Sequence, residues 1–222
     1  MIPEILDEDT VRIIPLSGVE EIGRNMNIIE TKDDIIVVDA GFQFVSEESN
    51  APGINYILPN TQYLEERKHK IRALVVTHGH LDHIGGIPFI MERIGNPPIY
   101  TQYLTSLMIL KRQEEFPHME PLQVNVIKEG EHFTVGKTRI KTFPVTHSIP
   151  DAMGISIETK HGDIVLTGDI KLVSKDGEVE VEERESWERV GQNNNLALLC
   201  DSTNADQSGF STAEARVFAT LE

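Results

Sequence analysis

The stretch LVVTHGHLDHIGGIP, residues 74–88, decides how this chain is read. Three of its eight histidines and an aspartate fall between His78 and His83. The apolar, β-branched lead-in predicts a strand that ends at the cluster. In an extended segment residues i and i+2 face the same side, so His78 and His80 converge on one point. If the chain then turns into a helix, Asp82 and His83 sit at its start and face a second point beside the first. Imidazole nitrogens and carboxylates are ligands that zinc and manganese accept. The spacing therefore predicts two adjacent metal ions. A lone turn histidine is more often a hydrogen-bonded or solvated one; crowding four ligands into six residues outweighs that reading.

Such a centre needs further ligands from other strand ends. FPVTHSIPD places His147 directly after a strand, and IVLTGDIK places Asp169 after an apolar run and a glycine that allows close approach. Asp169 is positioned to bridge two ions with one oxygen on each. Asp39, at the end of IIVVDAG, is expected to accept a ligand histidine's N–H and fix its tautomer. His69, His118, His132 and His161 lie in charged or turn-like contexts and are read as solvated. Cys200, within LALLCDST, is read as a small core residue in mid-strand.

The rest of the chain supports a globular enzyme. Its 222 residues, 39% hydrophobic and 25% charged, can bury a sizeable core. Thirty-six acidic against 20 basic residues give a net charge of −16, which argues against nonspecific polyanion binding by this surface alone. Bound divalent cations would reverse that field locally. No apolar run is long enough to span a bilayer, and the first residues lack the basic start and apolar centre of a secretory signal. With a single cysteine, this predicts a cytoplasmic protein with no membrane partner.

Short Val- and Ile-rich runs (VRIIPL, MNIIE, ALVVTH, GISIETKHGDIVLTGD) read as strands, with TKDD and KHGD as hairpin turns. TQYLEERKHK, GGIPFIMERIG and YLTSLMILKRQEEF read as helices, and DGEVEVEERE as a hairpin edge or solvated face. Ser211 and Glu214 stand at capping-box spacing and predict a helix that opens just before the sequence stops. That placement suggests a truncated chain. The mixture predicts an α/β fold with two sheets and helices outside them.

These residues carry a resemblance. HGHLDH resembles the His-x-His-x-Asp-His signature of the metallo-β-lactamase superfamily, and His147, Asp169 and Asp39 match its other motifs in order. SGVEEIGRNM, VVDAGFQF, PGINYILPNTQYL, PVTHSIPDAMGISIET and CDSTNAD extend the resemblance to the β-CASP branch, and within it to the N-terminal portion of the ribonuclease J family. Ser17-Gly18-Val19-Glu20 stands where that family more often has glycines. The implied fold is an αββα sandwich with metals at the sheet ends, incomplete on its C-terminal side. Residues 1–208 would form the N-terminal part of a metallo-β-lactamase-type domain. Residues 209–222 would start a helix leading into an absent β-CASP domain.

The resemblance implies one ion on His78, His80 and His147, the other on Asp82 and His83, and Asp169 between them. Two Zn2+ are expected, with Mn2+ or Mg2+ as substitutes. The second site should be weak here, because the family draws its final histidine from beyond the β-CASP domain. The implied activity is a metal-dependent ribonuclease that cuts single-stranded RNA from a 5′ end or internally. Hydroxide generated between the ions would attack the phosphodiester, with Asp82 and Asp169 catalytic as well as ligating. Oligomerisation of the longer protein stays open. The alternative is a small-molecule hydrolase of the same fold, acting on a lactam, thioester or lactone; a non-catalytic metal-binding domain is a further rival.

Overall fold

Two short, largely apolar runs set the architecture: β3 (Ile35–Val38) and β6 (Ile71–Val75), paired in parallel with Val38 opposite Val75. Around them β1 (Arg12–Ser17), β2 (Met26–Glu30), β7 (Ile99–Thr101) and β8 (Val124–Val126) complete a six-stranded sheet ordered β1-β2-β3-β6-β7-β8. A second sheet of five strands is built from β9 (His132–Val135), β10 (Thr138–Pro144), β11 (Met153–Thr159), β12 (Gly162–Leu166) and β15 (Asn195–Leu199), ordered β15-β12-β11-β10-β9. Two short hairpins, β4 (Gln43–Phe44) with β5 (Tyr56–Ile57) and β13 (Ser174–Lys175) with β14 (Glu178–Val179), stand apart. This computed structural model describes residues 6–45, 52–172, 174–175, 178–179 and 181–209.

Strand alternation explains the layering. Ile28, Ile35, Val37 and Leu74 pack with Ile87, Ile90, Met91 and Ile109 from the helices. Their neighbours Ile29, Ile36, Val38, Ala73 and Val75 pack with Ile140, Ile155, Ile157 and Ile164 of the second sheet. Helices α1 (Gln62–Glu65), α3 (Ile87–Ile94) and α4 (Tyr103–Gln113) therefore cover one face of the first sheet, and the second sheet covers the other. A sheet buried on both faces needs near-continuous apolar strands, as IIVV supplies and IRALV does apart from Arg72 near its start. On the far face of the second sheet, Trp187 of α5 (Val181–Gly191) meets Phe143 edge-on at 5.5 Å. The expected two-sheet sandwich with helices outside is the one observed.

The hairpins expected at TKDD and KHGD join β2 to β3 and β11 to β12. Three readings need correction. TQYLEERKHK makes one α-helical turn and then a 3-10 turn at Lys68–Lys70, because only Leu64 of its first turn is buried to anchor it. The acidic run closes its hairpin but then enters α5, whose exposed face carries an Arg184–Glu188 pair one turn apart. Cys200 follows β15 and is exposed rather than a core residue. The helix expected from Ser211 lies outside the described residues.

Parallel pairing positions the site. β3 and β6 run together in one sheet, β12 and β15 in the other, with Leu166 opposite Leu199. Their carboxyl ends deliver Asp39, Thr77, Thr167 and Asp201 to one region, the common location for ligands in sheets with parallel strands.

Candidate metal centre

Past β6 the chain bends at Gly79 and returns to an extended backbone at His80, which caps the short helix α2 (Leu81–Ile84) with φ −69° and ψ 150°. That conformation puts two imidazoles on one side. His78 Nε2 lies 3.1 Å from His80 Nδ1, and His147 Nε2 lies 3.1 Å from the same atom. His147 arrives from the loop after β10, 67 residues away. Asp169 follows β12 through Gly168, whose φ of +60° lets the loop turn back toward Thr77.

Asp169 faces both groups. Its Oδ2 is 3.9 Å from His78 Nε2 and 3.7 Å from His147 Nε2, while Oδ1 is 3.2 Å from His83 Nε2. His83 Nε2 in turn stands 3.5 Å from Asp82 Oδ2. Two sets result, His78–His80–His147–Asp169 and Asp82–His83–Asp169, each with its donor atoms within 4.8 Å of one another. A tetrahedral zinc with bonds near 2.0 Å has ligand–ligand edges of about 3.3 Å. The donor types and these separations fit metal ions. All six residues predicted to ligate converge here.

Asp39 stands behind His83, its Oδ2 2.8 Å from His83 Nδ1. It adopts φ 60°, a backbone state costly for a non-glycine residue, and its Oδ1 accepts the Thr77 N–H at 2.8 Å. The Thr77 hydroxyl is 2.9 Å from Asp39 Oδ2 and 3.1 Å from His78 Nδ1. One carboxylate and one hydroxyl thus brace a histidine of each set.

Electrostatics divide the two sets. Burial, reinforced by the neighbouring histidines and opposed by Asp169, lowers His78 from 6.5 to about 2. Burial also lowers His147, against the pull of Asp169. At His83 burial likewise disfavours the charge, but Asp39 and Asp169 outweigh it and raise the ring to about 10. Burial alone would raise Asp169; the hydrogen bond and charge of His83, with the other histidines, bring it down to about 2.

Three contributors escaped the sequence reading. Thr77 is one. Asp201 is another: its Oδ2 accepts the Ile170 N–H at 3.1 Å and its own N–H donates to Thr167 Oγ1 at 3.0 Å, tying down the Asp169 loop. The third is Asn25, whose Nδ2 lies 3.2 Å from Asp82 Oδ2 and 3.0 Å from His83 Nε2. All three lay in stretches used only for resemblance or as lead-in, and the long sequence separation hides their contacts. His69, His118, His132 and His161 are exposed, as expected. A cleft of about 710 Å³ opens beside the second set, lined by Val19, Glu21, Asn25, Asp82, Asp169 and Thr203 among others. Among the described residues no helix is long and apolar enough to cross a membrane.

Comparisons with known proteins give the family and the fold. The family model of the metallo-beta-lactamase superfamily matches residues 20–200. Ribonuclease J of Mycoplasma pneumoniae is 33% identical over 218 residues, 98% of this chain and 38% of that protein. Ribonuclease J of Thermus thermophilus is 37% identical over 227 residues, 97% of this chain and again 38% of the relative. The chain thus spans well under half the length of these relatives. Among solved structures, the Rm3 metallo-beta-lactamase superposes with a TM-score of 0.54 at 18% identity, covering 94% of this chain and 82% of its own, a likeness of fold. From its family match and its fold, the chain belongs to the metallo-β-lactamase superfamily, with a sequence similar to part of ribonuclease J.

Proposed function

We propose that this chain carries the metal centre of a ribonuclease J-type hydrolase that cuts single-stranded RNA, in the cytoplasm. The observation that carries the reading is Asp169, one oxygen toward His78 and His147 and the other toward His83. A carboxylate so shared suits two adjacent ions. His78, His80 and His147 would hold one zinc and Asp82 with His83 the other. The second has fewer protein ligands and binds more weakly. Mn2+ or Mg2+ would be the substitutes. The likeness to ribonuclease J, which extends beyond the metal motifs, favours RNA over a lactam.

When bound, the two ions would acidify a water for hydrolysis and neutralise charge on the phosphate. The chain's own residues prepare for this. Asp39 holds the Nδ1 proton of His83, which leaves Nε2 to face an ion. Thr77 restrains His78 in the same way from its Nδ1 side. Asp201 fixes the backbone after Asp169, so the bridging carboxylate keeps its orientation. Asp82, half-buried at the cleft, is the ligating group best placed to orient the attacking water.

The test is cleavage of 5′-phosphorylated single-stranded RNA and of a chromogenic lactam, each with zinc and with chelator. The assays use this chain and a version extended through the β-CASP domain. The expected result is chelator-sensitive RNA cleavage, low for this chain and higher for the extended one. Lactam hydrolysis without RNA cleavage would overturn the reading.

A further inference from the structure

We infer that Asn25 is a positioning residue for the second metal set and has no part in holding the first. The inference rests on the two-metal reading above and concerns a side chain that is neither a ligand nor bonded to one through Asp39.

The side-chain contacts described for Asn25 go to Asp82 and His83 alone, at the atoms that would face an ion: Nδ2 donates to Asp82 Oδ2 at 3.2 Å and lies 3.0 Å from His83 Nε2. None reaches His78, His80 or His147. The amide sits where it does because its backbone is pinned on both sides. Its N–H donates to the Asp82 carbonyl at 2.9 Å, and its carbonyl accepts the Gly41 N–H at 3.0 Å. At Gly41 a Cβ would collide with the Asp82 carbonyl, so the contact between these segments needs glycine. Gly18, at φ +84°, closes over the other side, where a Cβ would strike the Asn25 side-chain oxygen. The loop from β1 to β2 and the start of α2 are therefore one packed unit, with the amide aimed into it.

Asp82 needs such a partner. The helix that carries it has four residues, and the carboxylate is a third exposed, so neither helix length nor burial fixes its rotamer. An N–H donor selects one. A carboxylate keeps lone pairs for both a donor and an ion, so the bond to Asp82 can persist when an ion arrives. The contact at His83 Nε2 is the one an ion replaces. Asn25 thus holds the set open at ion-sized spacing and fixes the ligand least constrained by the fold. Residues behind metal ligands typically contribute 10- to 100-fold in affinity.

The experiment is a calorimetric Zn2+ titration of the chelator-treated chain, comparing wild type with Asn25→Leu and Asn25→Ala. Leucine keeps the branched shape and removes the donor; alanine removes both. Thermal melting reports whether each variant folds. The expected result is two binding events in wild type, with the weaker one weakened about tenfold or more in both variants and the tighter one unchanged. Equal weakening of both events would reveal general destabilisation and overturn the role. Two unchanged events would overturn it as well. A wild-type chain with no second event would overturn the two-metal reading, and the role of Asn25 with it.

Discussion

The two ligand sets share Asp169 and lie side by side, yet the chain prepares them in opposite ways. The first gathers imidazoles from two separate strand ends and disfavours a proton on two of them, with His78 lowered to about 2 and His147 lowered too. The second keeps a proton on His83 up to about 10, held there against burial by Asp39 and Asp169. At His78 and His147 burial disfavours positive charge, which leaves those two rings ready for a cation. The second set carries a proton where a cation would sit. Metal binding is then close to simple addition at the first set and exchange at the second.

The largest test of this contrast removes what the sets share. Asp169→Ala should lower zinc affinity at both, on the order of 100-fold or more, since it deletes a ligand rather than a supporting group. Metal content per chain after dialysis checks it; a variant that loses only one ion would break the sharing.

A second test uses pH. Because His83 holds its proton below about 10, an ion must displace it, and affinity at the second set should rise about tenfold per pH unit between 6.5 and 9. The first set, with His78 already unprotonated, should change less over that range. Stability of the metal-free chain should move the other way. A ring raised above its unfolded value stabilises fully below about 6.5, and that contribution is lost as pH rises through about 10. The Asp169 contribution is present above 3.8 and is lost as pH falls through about 2. Melting curves of the metal-free chain from pH 2 to 10, with zinc added from pH 6 upward, read both contributions.

Smaller effects separate the supports. Asp39→Asn keeps the shape but removes the charge behind His83, so the second set should weaken about 10- to 100-fold and the first far less. Zinc titration of the variant checks it. Thr77→Val should weaken both sets modestly, about tenfold or less, because its hydroxyl touches His78 and Asp39 together. A Thr77 variant that affected one set alone would show that the hydroxyl does not link them.

What the sequence disclosed follows the same divide. The first set's histidines and the His83–Asp82 pair were legible because ligands crowd into six residues after an apolar strand, and because His147 and Asp169 also follow strands. The layering was legible because hairpin-paired Val- and Ile-rich strands alternate with helical stretches, a mixture that two sheets with helices outside accommodate. The supports were not. Asn25 and Asp82 are 57 residues apart, and a lone asparagine in a glycine-rich loop carries no pattern. Thr77 precedes the motif without departing from its strand's composition. Helix α5 was missed because its inward anchor is one tryptophan among charged residues, and Cys200 because an apolar run does not reveal where its strand stops.

The most direct test of the contrast is proton release on zinc binding, measured at pH 8 by calorimetry in buffers of different ionisation enthalpy. The account predicts that the weaker event releases about one proton per ion, from His83, and the tighter event less. Release confined to the tighter event, or none at the weaker, would contradict it.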